Sequence, residues 1–428
     1  MKQCNLTKSP RRKFLLMLSL LVFILFGCGE KTIENQPVRI DAPSLSTIDY
    51  ETTLSESETA LSVSETTPSE TASIETTAAD TSDIDTPDEI AAQTAVLLGN
   101  MPLEDKIGQL ILARMPADDD TAVAYCETYK VGGYVLFASD FEDDTPQSIR
   151  YKIKNLTKIT SLPMFFAVDE EGGTVTRISR YSQYRDAKFA SPRELMAGGI
   201  EAVSADTEEK CQLLKSLWLN FNLAPVADIS DDPSDFIYER SAGGSDAAAE
   251  YVRAYVEKSR ELSVGCTLKH FPGYSGSSDT HTGAAYDDRS LDELMERDLL
   301  PFRVGIEAGA DAVMVSHNIV ECLDPDNPAS LSPAVHELLR GELDFDGIVM
   351  TDDISMGAVA DIYDEAEAAV LAILAGNDIV CCSDTPAVYN GLYDAVMDGR
   401  LTEERIDESV TRIIYCKLKL RSGINRGY

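Results

Sequence analysis

The chain has 428 residues, of which 44% are hydrophobic and 26% charged, so most of it can bury a core. Acidic residues outnumber basic ones by 73 to 37, which gives a formal net charge of −36. This balance argues against a nucleic-acid partner, because phosphate binding needs clustered lysine and arginine. The nine cysteines form no C-x-x-C pair, which argues against a zinc site or a redox motif. Buried free thiols and a disulfide are both compatible with the spacing.

Residues 1–28 have the features of a lipoprotein signal peptide. A basic cluster at 8–13 precedes the apolar run Phe14–Phe26, which is short for a membrane span but suits a signal-peptide core. The run ends in Leu25-Phe26-Gly27-Cys28, which resembles a bacterial lipobox, whose cysteine is acylated. An ordinary signal peptide or an uncleaved anchor is the alternative. The sequence therefore predicts a bacterial protein that is lipid-anchored through Cys28 at the extracellular face of the cytoplasmic membrane.

Residues 29–88 differ in composition from the rest of the chain. Serine and threonine are abundant, and between positions 30 and 88 there are 14 acidic residues but only 2 basic ones. No apolar periodicity persists, so the segment cannot bury enough surface to offset the entropy of ordering. We therefore predict a disordered, extended tether.

From residue 89 to residue 428, short apolar runs alternate with longer helical patterns. The predicted strands are Ile107–Ala113, Gly132–Phe137, Met164–Val168, Asn222–Val226, Gly265–Leu268, Ala312–Val315, Gly347–Met350 and Asp378–Cys381. Predicted helices include Ser148–Ile159, Thr207–Asn220, Asp246–Leu262, Ser290–Ala308, Asp364–Ala375, Thr385–Met397 (with Thr385 as N-cap) and Glu403–Leu420. Eight such alternations predict one (β/α)8 TIM barrel. A doubly wound open sheet is disfavoured, because no glycine-rich fingerprint follows the first strand.

Polar side chains follow five of the predicted strands. They are Asp169-Glu170-Glu171, Asp228, Lys269-His270, Ser316-His317-Asn318 and Thr351-Asp352-Asp353. Barrel enzymes carry their chemistry at the carboxyl ends of the strands, so these side chains are predicted to converge on one site.

The residue types favour glycosidic cleavage. No Gly-x-Ser-x-Gly elbow suggests a serine hydrolase. Retaining cleavage needs a carboxylate nucleophile and a proton donor, and Asp352 is the best candidate nucleophile. His281 can donate the proton with Asp279 orienting its ring, although an Asp-x-His pair in a Ser/Gly loop can also be a plain turn. A metal-dependent hydrolase using His270, His281, His317 and Asp352 is less favoured, because Lys269 would repel the cation.

Four motifs occur in a characteristic order: Val168-Asp169-Glu170-Glu171-Gly172-Gly173, Lys269-His270-Phe271-Pro272-Gly273, Asp279-Thr280-His281, and Thr351-Asp352-Asp353-Ile354-Ser355-Met356. Together they resemble glycoside hydrolase family 3, in particular its single-domain bacterial β-N-acetylglucosaminidases, over residues 90–420. The resemblance implies a covalent intermediate on Asp352 and an acid/base dyad of Asp279 and His281. It also implies that five residues bind the sugar: Asp169, Arg177, Arg240, Lys269 and His270. No metal or cofactor is implied.

Two departures from the family pattern concern the aglycone side. Gly273-Tyr274-Ser275-Gly276 stands where the family often has Gly-His-Gly, and the acid/base loop is shorter than usual. The expected substrate is a glycan of the cell wall with a terminal β-linked N-acetylglucosamine. The alternatives are a β-glucosidase, an N-acetylglucosaminide phosphorylase, and a non-catalytic glycan-binding lipoprotein. The sequence does not indicate an oligomeric state.

Overall fold

A computed structural model describes residues 86–274, 280 and 283–424. The predicted signal peptide with Cys28, nearly all of the predicted tether, and both Asp279 and His281 lie outside these residues. Within the described ranges, no helix is both long and apolar enough to cross a membrane.

Eight parallel strands close into a barrel, which confirms the predicted (β/α)8 fold. The ten strands in chain order are β1 (Ile111–Arg114), β2 (Gly133–Leu136), β3 (Phe165–Val168), β4 (Phe221–Asn222), β5 (Gly265–Phe271), β6 (Tyr286–Asp287), β7 (Ala312–Val315), β8 (Ile319–Val320), β9 (Ile348–Asp353) and β10 (Ile379–Cys382). Around the barrel the order is β1-β10-β9-β7-β5-β4-β3-β2, while β6 and β8 pair separately. Strands such as β2, β3, β7 and β10 are buried throughout, because helices cover the outside and side chains fill the inside.

Fifteen α-helices lie in the described part of the chain. They are α1 (Pro87–Gly99), α2 (Leu103–Gln109), α3 (Asp119–Tyr129), α4 (Ser139–Glu142), α5 (Pro146–Thr157), α6 (Pro192–Ala197), α7 (Ile200–Ser216), α8 (Ser245–Glu261), α9 (Leu291–Glu293), α10 (Leu300–Ala308), α11 (Pro333–Glu337), α12 (Gly357–Ala360), α13 (Glu365–Ala375), α14 (Thr385–Met397) and α15 (Glu403–Ile424). Short π-helical segments at Leu294–Asp298 and Leu338–Glu342 follow α9 and α11, and a 3-10 turn covers Ala329–Leu331.

Several predicted boundaries are wrong. The helix predicted at Thr207–Asn220 begins at Ile200 and ends at Ser216. The first strand begins at Ile111, because Ile107 belongs to α2. The fourth strand is only Phe221–Asn222, although Val226 still forms an isolated bridge to Lys269. The N-cap of α14 is Asp384, whose carboxylate accepts the Ala387 amide, so Thr385 is the first helical residue. An ionised carboxylate is a better cap than a hydroxyl for these free amides.

Cysteines are free wherever the structure describes them. Of these seven, six are buried and only Cys322 is exposed. The sequence left open whether thiols or disulfides occur, and the described cysteines are thiols that pack as small apolar side chains.

Candidate active site

A cavity of about 460 Å³ opens at the carboxyl ends of the barrel strands. All six of the predicted active-site residues that the structure describes line it: Asp169, Arg177, Arg240, Lys269, His270 and Asp352. They come from the loop after β3, from the loop between β4 and α8, from β5 and from the end of β9. The closed barrel therefore brings together side chains from Asp169 to Asp352, which are 183 residues apart in the chain.

Asp169 lies between two cations. Its Oδ1 is 2.7 Å from the Lys269 ammonium, and its Oδ2 is 3.3 Å from Nη2 of Arg177. Burial alone would raise the pKa of Asp169, but Lys269 and Arg177 outweigh it and hold this pKa below its ordinary value. The carboxylate is therefore ionised and can accept hydrogen bonds from hydroxyl groups.

Glu171 is the more deeply buried partner of Lys269. Its Oε1 is 2.6 Å from Nζ of Lys269, and Arg240 donates to both carboxylate oxygens at 2.8 and 2.9 Å. Burial would raise the pKa of Glu171, but the charges of Arg240 and Lys269 lower it far below its usual range. The paired carboxylates in turn raise the pKa of Lys269 despite its burial. Asp169, Lys269, Glu171 and Arg240 therefore form one network of paired charges on the wall of the cavity.

The tautomer of His270 follows from its two neighbours. Nη2 of Arg240 lies 3.1 Å from Nε2 of His270, and a guanidinium can only donate, so Nε2 must accept. Nδ1 then carries the proton and donates it to Asp228 at 2.7 Å. Asp228 also accepts the backbone amides of His270 and Tyr274. It therefore fixes both the ring and the backbone at the end of β5.

Asp352 stands near the end of β9 on the same cavity. Its Oδ1 accepts the amide of Asp353 at 2.8 Å. The side chain of Asp353 turns toward the loop and accepts the amide of Ser355. Both residues line the cavity, but the side chain of Asp353 contacts Ser355 in the loop after β9 and Ser383 just after β10.

His317 contacts the backbone at the end of β9. Its Nε2 is 3.1 Å from the backbone carbonyl of Asp353, and its Nδ1 is 2.7 Å from the hydroxyl of Ser330. Burial lowers the pKa of His317 in spite of the nearby Asp352 charge, so the ring is neutral. Since a carbonyl only accepts, Nε2 carries the proton and Nδ1 accepts from Ser330.

Glu170 anchors the loop that carries Arg177. Its carboxylate accepts the amides of Arg177 and Ile178 at 2.9 and 2.7 Å, and it is fully buried. Its role is therefore in loop geometry. Among these supporting residues, Glu171 and Asp228 were visible in the sequence only as carboxylates after strands. Their partners could not be assigned because Arg240 and His270 lie far away in the chain.

Tyr274 and Arg289 make contacts close in sequence to Asp279 and His281, which themselves lie outside the described residues. The hydroxyl of Tyr274 lies 2.7 Å from Oγ1 of Thr280, and burial raises the pKa of Tyr274, so its phenol stays protonated. Arg289 donates to the carbonyl of Gly273 at 2.6 Å and forms an ion pair with Asp298. One guanidinium thus links Gly273 to Asp298.

A metal-dependent reaction finds little support in these contacts. Both ring nitrogens of His270 and of His317 are engaged by protein groups. Within the described ranges, no group of three His, Cys, Asp or Glu side chains is arranged to hold a metal ion.

The closed parallel barrel with a charged cavity at its carboxyl end defines the class of (β/α)8-barrel enzymes. Residues 102–416 match the glycosyl hydrolase family 3 N-terminal domain. The chain is 34% identical over 326 residues to the beta-hexosaminidase LpqI of Mycobacterium tuberculosis, which covers 73% of this chain and 82% of that protein. The chain belongs to glycosyl hydrolase family 3, and it is a glycosidase.

Solved structures agree with this assignment. A family 3 β-N-acetylglucosaminidase from Paenibacillus sp. superposes with a TM-score of 0.71 at 32% identity over 77% of this chain. This chain spans only 64% of that longer protein. The structure of M. tuberculosis LpqI superposes with a TM-score of 0.69 at 31% identity, covering 75% of this chain and 95% of that one. The resemblance predicted from the four motifs is thereby confirmed.

Proposed function

We propose that this chain is a retaining β-N-acetylhexosaminidase that releases terminal β-linked N-acetylglucosamine from cell-wall glycans. One observation carries the proposal. Asp352, the proposed nucleophile, lines the same cavity as the Asp169–Lys269–Glu171–Arg240 charge network. The names of the relatives, beta-hexosaminidase and β-N-acetylglucosaminidase, support this substrate class.

In this proposal the network binds the terminal sugar. Asp169 accepts hydrogen bonds from two sugar hydroxyls, while Lys269 and Arg177 donate to the same hydroxyls. Bonds to ionised groups are the strong ones, so they orient the ring and place its anomeric carbon next to Asp352. Arg240 and His270 complete the wall of the pocket, with His270 held in one tautomer by Asp228.

The leaving group takes its proton from His281, with Asp279 stabilising the imidazolium. Asp352 attacks the anomeric carbon as the glycosidic bond breaks, and the leaving oxygen takes the proton of His281. A water molecule then gives its proton back to His281 and attacks the glycosyl–Asp352 ester. The ester bond breaks, the carboxylate is regenerated, and the sugar leaves with its configuration retained.

We further propose that residues 1–28 direct export and that Cys28 carries a lipid anchor. The segment 29–88 then tethers the catalytic domain of residues 89–428 to the outer face of the membrane. Metabolic labelling with a radioactive fatty acid tests this. Label in the wild type and none in Cys28→Ser is expected, and equal labelling would contradict it.

The nucleophile is tested with an aryl N-acetylglucosaminide. Asp352→Ala should lower kcat/KM by roughly a thousandfold or more, because the covalent route is removed. It should also abolish the glycosyl-protein adduct that mass spectrometry detects in rapidly quenched wild-type reactions. Asp346→Ala, an exposed carboxylate just before the other end of β9, is the matched control. Equal rates of Asp352→Ala and wild type would contradict the assignment.

The substrate class is tested with paired aryl glycosides. Faster release from the N-acetylglucosaminide than from the glucoside is expected, and the reverse order would indicate a β-glucosidase. Adding phosphate and identifying the product separates hydrolysis from phosphorolysis, since only the latter yields a sugar 1-phosphate. Glycan binding without any turnover would indicate a non-catalytic protein.

A further inference from the structure

A second cavity, of about 650 Å³, lies at the end of the barrel opposite to the candidate active site. Part of its wall is formed by Met164 just before β3, Phe166 in β3 and Asn220 just before β4. Asn220 joins these strands by accepting the amide of Phe166 and donating to the carbonyl of Met164. The cavity is therefore backed by the rigid barrel, and its residues are distinct from those of the catalytic cavity.

All charged residues that line this cavity are basic. They are Lys154 of α5, Lys215 of α7, and Lys417 and Arg421 of α15. Acidic residues outnumber basic ones about two to one in the chain (73 to 37), so composition alone does not predict a cavity lined by four basic residues and no acidic one. Such a cluster creates a local positive potential that attracts an anion.

Trp218, the single tryptophan of the chain, also lines this cavity. It follows the last turn of α7 with φ of +66°, and the next amide, of Leu219, donates to the carbonyl of Leu214 at 3.0 Å. Glycine is usual at this capping position, because a side chain is disfavoured in the left-handed conformation. A half-buried indole there supplies a flat apolar surface next to the cations.

Lys417 lies deepest in this cluster. It is buried, its ammonium donates to the amide oxygen of Gln109 at 2.6 Å, and it lies 5.0 Å from the centre of the Phe165 ring. Burial lowers the pKa of Lys417 to about 7. A bound anion would raise this pKa again, because it would supply the opposite charge that favours the ammonium.

We infer that this cavity is a second, non-catalytic binding site for an anionic sugar, meaning a sugar-sized ring that carries a phosphate or a carboxylate. Lys154, Lys215 and Arg421 would bind the anionic group, with Lys417 joining them when it is protonated, and the Trp218 indole would pack against the ring. The cavity volume is in the range of small-molecule sites. The site is independent of the proposed catalytic reaction, because it lies at the other mouth of the barrel.

Trp218 makes the inference directly measurable, since its fluorescence reports on this cavity alone. The full chain would be titrated with N-acetylglucosamine 6-phosphate, with neutral N-acetylglucosamine and with inorganic phosphate. We expect a saturable change in fluorescence with the phosphosugar at the lowest concentration, a weaker response to phosphate and little response to the neutral sugar. N-acetylmuramic acid, which carries a carboxylate, should behave like the phosphosugar. No response to either acidic sugar, or equal responses to the acidic and neutral sugars, would overturn the inference.

Two variants of α5 and its C-cap test the role of charge. Lys154→Glu should weaken binding of the phosphosugar by about tenfold or more, because a charge-assisted contact is replaced by repulsion. Lys158→Glu makes the same change in net charge at an exposed position that does not line the cavity, and it should have a much smaller effect. Calorimetry on Trp218→Phe should also show weaker binding. Equal weakening by the two lysine variants would show that only general electrostatics is involved and would contradict a built site.

Activity on the aryl N-acetylglucosaminide separates this inference from the proposed function. Lys154→Glu should retain wild-type turnover while binding of the phosphosugar is lost. If the wild type proved inactive but its fluorescence still responded to acidic sugars, the second site would stand and the catalytic proposal would fail.

Discussion

Glu171 is a buried carboxylate that receives three contacts from two cations, Lys269 and Arg240. Its counterpart at the surface is Glu209, which also binds one arginine through both oxygens but has a side chain that is 53% exposed. The two glutamates have similar geometry and differ in desolvation. Removing a buried partner leaves an uncompensated charge, whereas a surface pair contributes little.

Glu171→Gln should therefore lower the free energy of unfolding by about 3–5 kcal/mol. It should also weaken substrate binding, because Lys269 would be left with Asp169 alone. Glu209→Gln should change the unfolding free energy by no more than about 1 kcal/mol. Urea denaturation measures both values, and losses of equal size would show that burial is not the deciding factor.

Tyr274 contacts the residue between the two members of the proposed acid/base dyad. Tyr274→Phe removes the hydrogen bond to Thr280 but keeps the ring that packs on His270. We expect kcat to fall several-fold for substrates with poor leaving groups, which need proton donation, with less effect on activated aryl glycosides. The measurement is kcat across a series of leaving groups.

Tyr255→Phe is the matched control for this substitution. The Tyr255 hydroxyl is equally buried and accepts a hydrogen bond from Asn222 at 2.7 Å, where α8 meets β4. Its loss should reduce stability without changing the ratio of rates between good and poor leaving groups. If both variants showed the same ratio, Tyr274 would have only a structural role.

At the scale of the elements, the barrel depends on close approach between helices and strands. A Cβ added to Gly305 in α10 would lie 2.7 Å from both Leu268 methyl carbons on β5 and from a Val252 methyl on α8. Gly99 ends α1, and nothing lies within 4 Å of an added Cβ there. An alanine side chain would therefore clash with neighbouring side chains at Gly305, whereas at Gly99 it would point into open space.

Gly305→Ala should destabilise the protein by about 1–3 kcal/mol, because overpacking outweighs the gain in helix propensity. Gly99→Ala should be neutral or stabilise by up to about 1 kcal/mol. Thermal denaturation distinguishes the two. A stabilising Gly305→Ala would mean that α10 can move away from β5 at little cost.

For the whole molecule, Lys417 links stability to pH. In the folded chain its pKa is about 7, lowered by burial from 10.5. Between pH 7 and 10.5 the unfolded chain holds this proton and the folded chain does not, so stability rises with pH across this window. Below pH 7 both states are protonated, and the burial penalty is constant.

Lys417→Met should remove the contribution of Lys417 to the pH dependence of stability. The slope of unfolding free energy against pH, measured by urea denaturation between pH 7 and 10, should be smaller than in the wild type. Lys158→Met, at an exposed position, should leave the slope unchanged. An unchanged slope in Lys417→Met would mean that Lys417 is protonated in the folded state throughout the window.

The alternation of strands and helices was predictable from the sequence because each barrel strand is a short apolar run covered on both faces. The predicted bounds of β2, β3, β7 and β10 agree with the structure within one residue at each end. The predicted strands at β5 and β9 end three residues too early, the one at β1 starts four residues too early, and β4 is only Phe221–Asn222. The carboxylates, Lys269 and His270 stood out because they follow such runs. Each of these patterns involves residues that are neighbours in the chain, so the amino-acid sequence alone was enough to predict them.

Other features depend on residues that are distant in the chain, and only the tertiary structure decided them. The tautomer of His270 is set by Arg240 and Asp228, and the charge state of Glu171 by Arg240 and Lys269. The cationic cavity joins Lys154 of α5 to Lys417 of α15 at the other end of the barrel. Electrostatic and hydrogen-bond energies depend on distance and desolvation in space, and spacing along the chain does not specify either.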